Sequence, residues 1–498
     1  MDELRYTSTR GNGAEVTSAQ AIKQGLADDG GLFMPLDIPL IADDTLVELC
    51  KMSYAERAAH VLGLFLTDYS HDELLSDCIA AYGEDRFPGG AAPIKGLGDS
   101  IRVLELWHGP TCAFKDMALQ IMPKLLSRAL TKTGEMRKAM ILVATSGDTG
   151  KAALEGYRDA AGISIKVFYP TGGVSRIQKL QMASQEGNNV SVTAIRGNFD
   201  DAQNGVKRIF SDADFAAELN EAGCFLSSAN SINWGRLAPQ IVYYISAYCD
   251  MINAGDILLG EEIDVCVPTG NFGNIFAAYI AKCMGLPINM LICASNSNNI
   301  LTDFLATGTY DRNRKFYTTM SPSMDILISS NLERLLYVTA GSDKTAGWMK
   351  ELSEKGVYSV DDETKTMLQR SFEGFYCDEA STQAAIKRIF NTYGYLIDTH
   401  TAVAMHCAEQ YLEQNPSKRH MLVVSTASPY KFAASVLDAV SDEKPGDDFE
   451  TIETLCRVTG AAVPAPLASL KDKKVRFDTV INADEMKADV AAFGGIKA

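Results

Sequence analysis

Lys115 stands in the segment Trp107-His-Gly-Pro-Thr-Cys-Ala-Phe-Lys-Asp116, after a Gly-Pro turn and between Phe114 and Asp116. A lone lysine is ordinarily a solvated surface group. This one is followed by an apolar, strand-like run over 138–144, then by the polar, glycine-punctuated loop Thr145, Ser146, Gly147, Asp148, Thr149 and Gly150, and then by a helical pattern from Lys151. The amine is a nucleophile toward carbonyls. A strand–loop–helix junction offers free backbone N–H groups and the positive end of a helix dipole to an anion. Together they suit an enzyme that holds an aldehyde cofactor as a Schiff base.

Two further loops have the same form. Ser227-Ser-Ala-Asn-Ser-Ile-Asn-Trp-Gly-Arg236 holds Asn230, Ser231 and Arg236, and Pro268-Thr-Gly-Asn-Phe-Gly-Asn274 follows a strand pattern and opens a helix. Glycine lets backbone N–H groups approach an anion closely. Several such loops in one chain point to a ligand with more than one anionic group. Arg236 has the planar fork that binds phosphate oxygens in pairs, although the same fork also pairs with a carboxylate. Other chemistries fit less well. Lys151 after the 145–150 loop imitates a nucleotide-binding loop, but Thr145 stands where the first glycine belongs and Ala152 follows the lysine in place of Ser or Thr. Asp398-Thr-His400 could be a dyad or metal site, but no second ligand stands at helical spacing, so packing is expected. His108 is expected to be a hydrogen-bonded loop histidine.

The elements that must position these residues are legible as periodicity. Short apolar, β-branched runs occur at 101–106, 138–144, 163–169, 190–196, 224–228, 263–267, 288–294 and 421–425, with helical periods at 175–185, 236–251 and 274–284. This alternation predicts an α/β protein with parallel sheets covered on both faces and ligands at the carboxyl ends of strands. Residues 1–95 read as mostly helical, and the tail from 441 as a charged, proline-bearing extension. Apolar content of 46 % and charged content of 22 % are globular values. A net charge of −17 argues against nucleic acid and anionic membranes as partners, so an anionic substrate must be captured by local donors. Eleven cysteines without a C-x-x-C pair, no leader pattern and no membrane-length apolar run lead to the expectation of a soluble, cytoplasmic protein.

The motif around Lys115 resembles the cofactor-lysine motif of the threonine synthases, pyridoxal-phosphate enzymes of fold type II in the tryptophan-synthase-β family. Tyr6-Thr-Ser-Thr-Arg-Gly11 and Gly25-Leu-Ala-Asp-Asp-Gly-Gly-Leu32 resemble the long form of that family. Ser146-Gly-Asp-Thr149 resembles its substrate loop, and Asn230-Ser-Ile-Asn-Trp-Gly-Arg236, Gly270-Asn-Phe-Gly-Asn274 and Ser425-Thr-Ala-Ser-Pro-Tyr-Lys-Phe432 also match, in the family's order over nearly the whole chain.

The resemblance implies two parallel-sheet αβα subdomains with the site between them. They would form a catalytic core over 96–440, its smaller subdomain at 136–225, with a helical N-terminal domain (1–95) and a C-terminal extension (441–498). It implies that Lys115 binds pyridoxal 5'-phosphate and shuttles protons. Gly270, Asn271, Phe272, Gly273 and Asn274 would cradle the cofactor phosphate, and Thr426 would hydrogen-bond the ring nitrogen. Thr145, Ser146, Gly147, Asp148 and Thr149 would contact substrate, and Asn230, Ser231 and Arg236 would hold the phosphate of O-phospho-L-homoserine. The implied reaction is γ-elimination of phosphate and β-addition of water to give L-threonine, without a metal, in a monomer or homodimer. A phospho-lyase giving a 2-oxo acid, ammonia and phosphate is the alternative. A non-catalytic relative would be expected to lack the lysine. Many members of the wider fold carry asparagine where this chain has Asp148, and an aspartate there must be protonated or must accept a donor.

Overall fold

The computed structural model describes residues 3–145, 147–172 and 174–496, so Ser146 lies outside the described residues. The larger of the two main sheets has the strand order Phe372–Tyr376, Ile288–Ser295, Ile263–Pro268, Met421–Ser425, Ile101–Glu105 and Ile94–Leu97. All neighbours in it are parallel except Ile94–Leu97, which runs antiparallel to Ile101–Glu105. The smaller sheet is parallel throughout, in the order Val480–Ile481, Val190–Ile195, Ile163–Pro170, Lys138–Ala144 and Cys224–Ser227. Helices cover both faces, which is why the central strands are unbroken apolar runs. Ile263–Pro268 and Met421–Ser425 are buried at every position.

All eight expected strands form, to within one residue at either end. Three strands of these two sheets lie outside that expectation. Ile94–Leu97 is an edge strand with Lys95 and Gly96 exposed. In Phe372–Tyr376 the apolar run is interrupted by Gly374, where an added Cβ would lie 2.8 Å from Thr302 Cα. Val480–Ile481 is only two residues long and borrows its order from Val190–Ile195. It belongs to the tail beyond 441. The helix Met486–Phe493 of the same tail buries Met486 and Val490 against Met140, Leu142, Phe168 and Phe215. The tail thus supplies an edge strand and a covering helix of the smaller sheet.

The N-terminal region is helical, as expected, with helices Ser18–Gln24, Asp43–Cys50, Tyr54–Phe65 and His71–Tyr82. Three of them start at capping boxes, Thr17 with Gln20, Ser53 with Glu56 and Ser70 with Glu73. One strand pair, Tyr6–Ser8 with Phe33–Pro35, closes the region. It packs on the buried helix Trp234–Ala254, where Tyr6 and Phe65 both meet the Trp234 ring edge-on at 5.6 and 5.5 Å. Thr9 and Arg10 reach Glu333 at 2.6 and 2.9 Å, and Arg334 donates to the Phe33 carbonyl. The N-terminal region therefore braces the segment that follows the 268–274 loop in space.

The helix Asp148–Tyr157 begins three residues earlier than the periodicity suggests. Thr145 Oγ1 accepts the N–H groups of Gly147 and Gly150, each at 3.0 Å, and so closes the turn that starts the helix. This helix lies directly on the short helix Lys115–Leu119. A Cβ at Gly156 would stand 1.9 Å from the Leu119 carbonyl oxygen. The backbone-to-backbone approach fixes the distance between the lysine and the 145–150 loop. Gly156→Ala is therefore expected to force the two helices apart and to lower unfolding stability by about 1–3 kcal/mol, read by denaturant titration. An unchanged midpoint would show that the helices can separate freely.

Candidate active site

Three neighbouring strands of the larger sheet end side by side and release the chain into neighbouring loops. After Ile101–Glu105 comes the loop that ends in Lys115. After Met421–Ser425 comes Thr426. After Ile263–Pro268 comes the 269–274 loop. The first two loops are tied to each other, since Phe114 N–H donates to the Thr426 carbonyl at 2.8 Å and Ser428 N–H to the Cys112 carbonyl at 3.0 Å. The lysine turn is held from within by Asp116, which accepts from the Thr111 N–H at 2.8 Å and hydroxyl at 2.7 Å. Gly109 is required there, because a Cβ would lie 2.6 Å from the Asp116 side chain.

Lys115 is half-buried at the first position of its helix, and its amine makes no hydrogen bond or ion pair with a described residue. Burial holds its pKa below the usual lysine range. Asp148 opposes that shift, while Lys431 and Arg236 reinforce it. Asp148 is itself buried and accepts from Lys431 Nζ at 2.6 Å and Gln178 Nε2 at 3.3 Å. Burial alone would raise its carboxyl. Lys431 and Lys115 overturn that and hold it well below the ordinary range, so Asp148 is ionised. The donor that this position requires is Lys431, supplied by the opposite sheet.

In the 269–274 loop, Phe272 adopts a left-handed backbone at φ 64° and its buried ring packs on Phe372, so the residue acts through its main chain. The N–H groups of Gly270, Asn271, Phe272, Gly273 and Asn274 donate to no described residue. A Cβ at Gly270 would lie 2.7 Å from the Ser323 carbonyl oxygen. The Asn274 Oδ1 accepts from Tyr243 and Tyr244 at 2.5 and 2.6 Å, which leaves its buried Nδ2 without a partner among the described residues. Free N–H groups at the start of the helix Gly273–Cys283, with an orphaned amide donor beside them, form an anion cradle. No described residue hydrogen-bonds the Thr426 hydroxyl.

The smaller sheet adds the remaining side. Lys138–Ala144 leads to Asp148, and its neighbour Cys224–Ser227 leads to Asn230, Ser231 and Arg236. Arg236 is buried in the first turn of its helix. Its Nη1 donates to the Ala229 carbonyl at 2.6 Å, its Nε has no partner, and no carboxylate lies against it among the described residues. Burial pulls its pKa down to about 10, with only the Tyr157 hydroxyl opposing. The pairing with a carboxylate that the sequence allowed does not occur. Asn230 is exposed, and Ser231 lies beside it at 3.4 Å.

The chain matches the family model "Threonine synthase N terminus" over residues 5–82, "Pyridoxal-phosphate dependent enzyme" over 91–427 and "Threonine synthase, C-terminal" over 401–491. It is 37 % identical to a threonine synthase of Saccharomyces cerevisiae, covering 88 % of this chain and 89 % of that one. It belongs to the threonine synthase family. A crystal structure of pyridoxal-phosphate-bound threonine synthase from Brucella melitensis superposes with a TM-score of 0.88 at 36 % identity, covering 99 % of both chains. The human protein "Threonine synthase-like 1" is 42 % identical over 85 % of this chain, which spans only 58 % of that relative's length. The cofactor of this threonine synthase family member is pyridoxal phosphate. The free lysine, the glycine cradle, the orphaned amide and the free Thr426 hydroxyl fit its aldehyde, phosphate and ring nitrogen.

Of the residues expected at a threonine synthase site, those from 147–149, 230–236, 270–274, Lys115 and Thr426 all lie at adjacent strand ends. Thr145 is the exception in kind, because its hydroxyl is committed to Gly147 and Gly150 of its own loop. Lys151 turns away to Gln185 and Glu155 at 2.5 and 3.6 Å, so the nucleotide-loop likeness has no structural counterpart. His108 is a loop histidine bonded to Glu105 at 2.7 Å. His400 pairs through Nδ1 with Asp398 at 2.7 Å and accepts the Ser323 N–H on Nε2, which pins the Ser323 carbonyl over Gly270.

Sequence reasoning missed Lys431, although it lies within a quoted motif. It also missed Asn331, whose Nδ2 donates to the carbonyls of Asn271 at 3.0 Å and Ser231 at 3.4 Å and so ties two site loops together.

Asp116 gives a test by pH. Burial pushes its carboxyl from 3.8 up to about 6 against the lowering effect of the Thr111 bonds. Between these values the folded protein binds the extra proton, so stability falls as pH rises through that window. Asp116→Asn removes this dependence. Between pH 4 and 6 the variant is expected to gain on the parent by on the order of 2 kcal/mol in urea unfolding of the apoprotein. A constant difference across the window would contradict the assignment.

Proposed function

We propose that this member of the threonine synthase family converts O-phospho-L-homoserine and water to L-threonine and phosphate, as a cytoplasmic monomer or homodimer. The observation that carries the reading is Arg236, a buried guanidinium with an unpartnered Nε and no carboxylate against it, in the field of Lys115. A cation kept in that state is stable only where an anion completes it, and the substrate phosphate is that anion. The eleven free cysteines support a reducing compartment. The chain would divide into an N-terminal domain (1–95), a catalytic core (96–440) with its smaller subdomain at 136–225, and an extension (441–498).

In this reading Lys115 Nζ would hold the cofactor aldehyde, and as a free amine it would take the α-proton of the substrate. Its depressed pKa favours the neutral amine that this requires. The cofactor supplies an electron sink for the pair left at Cα. Gly270, Asn271, Phe272, Gly273 and Asn274 fix the cofactor phosphate through N–H groups. Thr426 offers a hydroxyl to the ring nitrogen, which stabilises positive charge there far less than a carboxylate would. The loop carrying Ser146, Gly147, Asp148 and Thr149, shaped by Thr145, orients the substrate carboxylate. Asn230, Ser231 and Arg236 grip the leaving phosphate at the far end, so that the bond to Cγ breaks where the cation stands.

Purified protein incubated with O-phospho-L-homoserine should release threonine and phosphate in equal amounts, and Lys115→Ala should abolish both. Phosphate with 2-oxobutyrate would replace this reading by the phospho-lyase, and no phosphate would reject both. Arg236→Lys keeps the charge but loses the fork. It should raise KM for the phosphorylated substrate about ten- to a hundredfold, the loss of one to two charge-assisted hydrogen bonds.

A further inference from the structure

The Lys431 side chain is 1 % exposed, and its amine sits at the junction of the three loops that frame Lys115. Nζ lies 2.6 Å from Asp148 Oδ1, on the helix after the 145–150 loop, and donates at 3.0 Å to the Thr111 carbonyl of the lysine turn. Its own backbone belongs to the 3-10 turn Pro429–Phe432, whose Ser428 is strapped to Cys112. One ammonium group thus joins the smaller sheet's substrate loop, the lysine loop and the strand end that carries Thr426. The reaction as proposed gives it no step.

We propose that Lys431 is a positioning residue for the reaction: it clasps Asp148 and the Lys115 turn together, and its charge offsets Asp148 so that the Lys115 amine stays available as a base. The inference rests on the function proposed above. The titratable groups that face Lys115 are Asp148, Lys431, Arg236 and Asp116, and those that face Asp148 are Lys431, Lys115 and His400. Arg236 lies against no carboxylate, and Asp116 is held by Thr111. Asp148 and Lys431 are therefore the pair whose balance decides the field at Lys115. Removing Lys431 takes away one cation and uncovers one carboxylate. Both changes favour the protonated lysine. Removing Asp148 as well cancels the second effect.

The test uses the apoprotein as well as the holoenzyme. The pH dependence of Lys115 acetylation by a limiting amount of acetic anhydride, read by mass spectrometry, reports the neutral amine without turnover. Lys431→Met should move the half-reactive pH of Lys115 upward by about one unit or more. Lys431→Arg should stay near the parent, Asp148→Asn should move it downward, and the double variant Asp148→Asn with Lys431→Met should return toward the parent. In the holoenzyme, Lys431→Met should lower kcat and shift the acidic limb of its pH profile in the same direction, with partial rescue by Lys431→Arg.

An unshifted labelling profile in Lys431→Met would overturn the proposal. Should that variant not fold, Asp148→Asn and the double variant carry the test, and coinciding profiles for these two and the parent would equally overturn it. Because labelling needs no substrate, a protein that makes no threonine yet shows the shifts would sink the proposed reaction and leave the positioning role of Lys431 standing.

Discussion

Positive charge held inside the protein without matching negative charge is the constraint on which the rest of this structure depends. Arg236 is buried with one carbonyl and no carboxylate against it, and the Lys115 amine has no direct partner among the described residues. Desolvating an ion costs several kcal/mol even after relaxation, so such groups persist only where the surrounding fold is rigid enough to deny them an escape to water. The rigidity is visible around them. Arg236 stands on a 21-residue helix that is apolar nearly all round, braced by Trp234 against the N-terminal region. Arg334 repeats the theme one layer out. It too is buried without an ion pair among the described residues, but its N–H groups donate to Phe33, Ile232 and Asn331, and these bonds knit the N-terminal strand pair to the loops behind Arg236. Its donors are satisfied by described residues and the Nε of Arg236 is not, and that difference supports the proposal that Arg236 is kept for a ligand.

Parallel topology turns this constraint into a site. Adjacent parallel strands end on the same side, so three consecutive strands of one sheet and two of the other bring their loops together without any loop needing to be long. What topology leaves open is register between the loops. Here main-chain bonds between 112–114 and 426–428, the Gly156–Leu119 approach and the shared donor of Asn331 settle it. These ties are made by backbone or by small residues, which leave little room for adjustment. A lysine amine and a guanidinium on different sheets can then be held in fixed relation.

That division explains what the sequence disclosed. Continuous apolar runs mark buried parallel strands because few positions in them face water, and most of the eight anticipated strands were legible for that reason; Phe372–Tyr376 was not, because Glu373 and Gly374 interrupt its run. Lys115, Arg236 and the 270–274 loop were legible because their residue types are costly at those places unless used. Ile94–Leu97 and Val480–Ile481 were not, since an edge strand with exposed positions and a two-residue strand carry no periodicity, and their order comes from the neighbour they pair with. Asn331 was hidden for a different reason. It is 57 residues from Asn274 in sequence and acts through carbonyls, which have no residue identity to detect. Lys431 is intermediate. It lay inside a recognised motif, and the need of Asp148 for a donor was foreseen, but only the packing of one sheet end against the other connects the two.

The charge distribution also resolves an apparent conflict. A chain of net charge −17 would be a poor receptor for a phosphorylated, carboxylate-bearing substrate if long-range attraction decided capture. At physiological salt, fields from exposed charges fade over about 8 Å, whereas buried charges are screened far less. The exposed acidic groups therefore govern solubility, and the handful of interior cations governs binding. In the proposed reaction, selection would fall at the end of the substrate held by Arg236. An analogue with a hydroxyl in place of the phosphate would leave that guanidinium buried and uncompensated. In that reading this desolvation cost, more than the missing attraction, would exclude it.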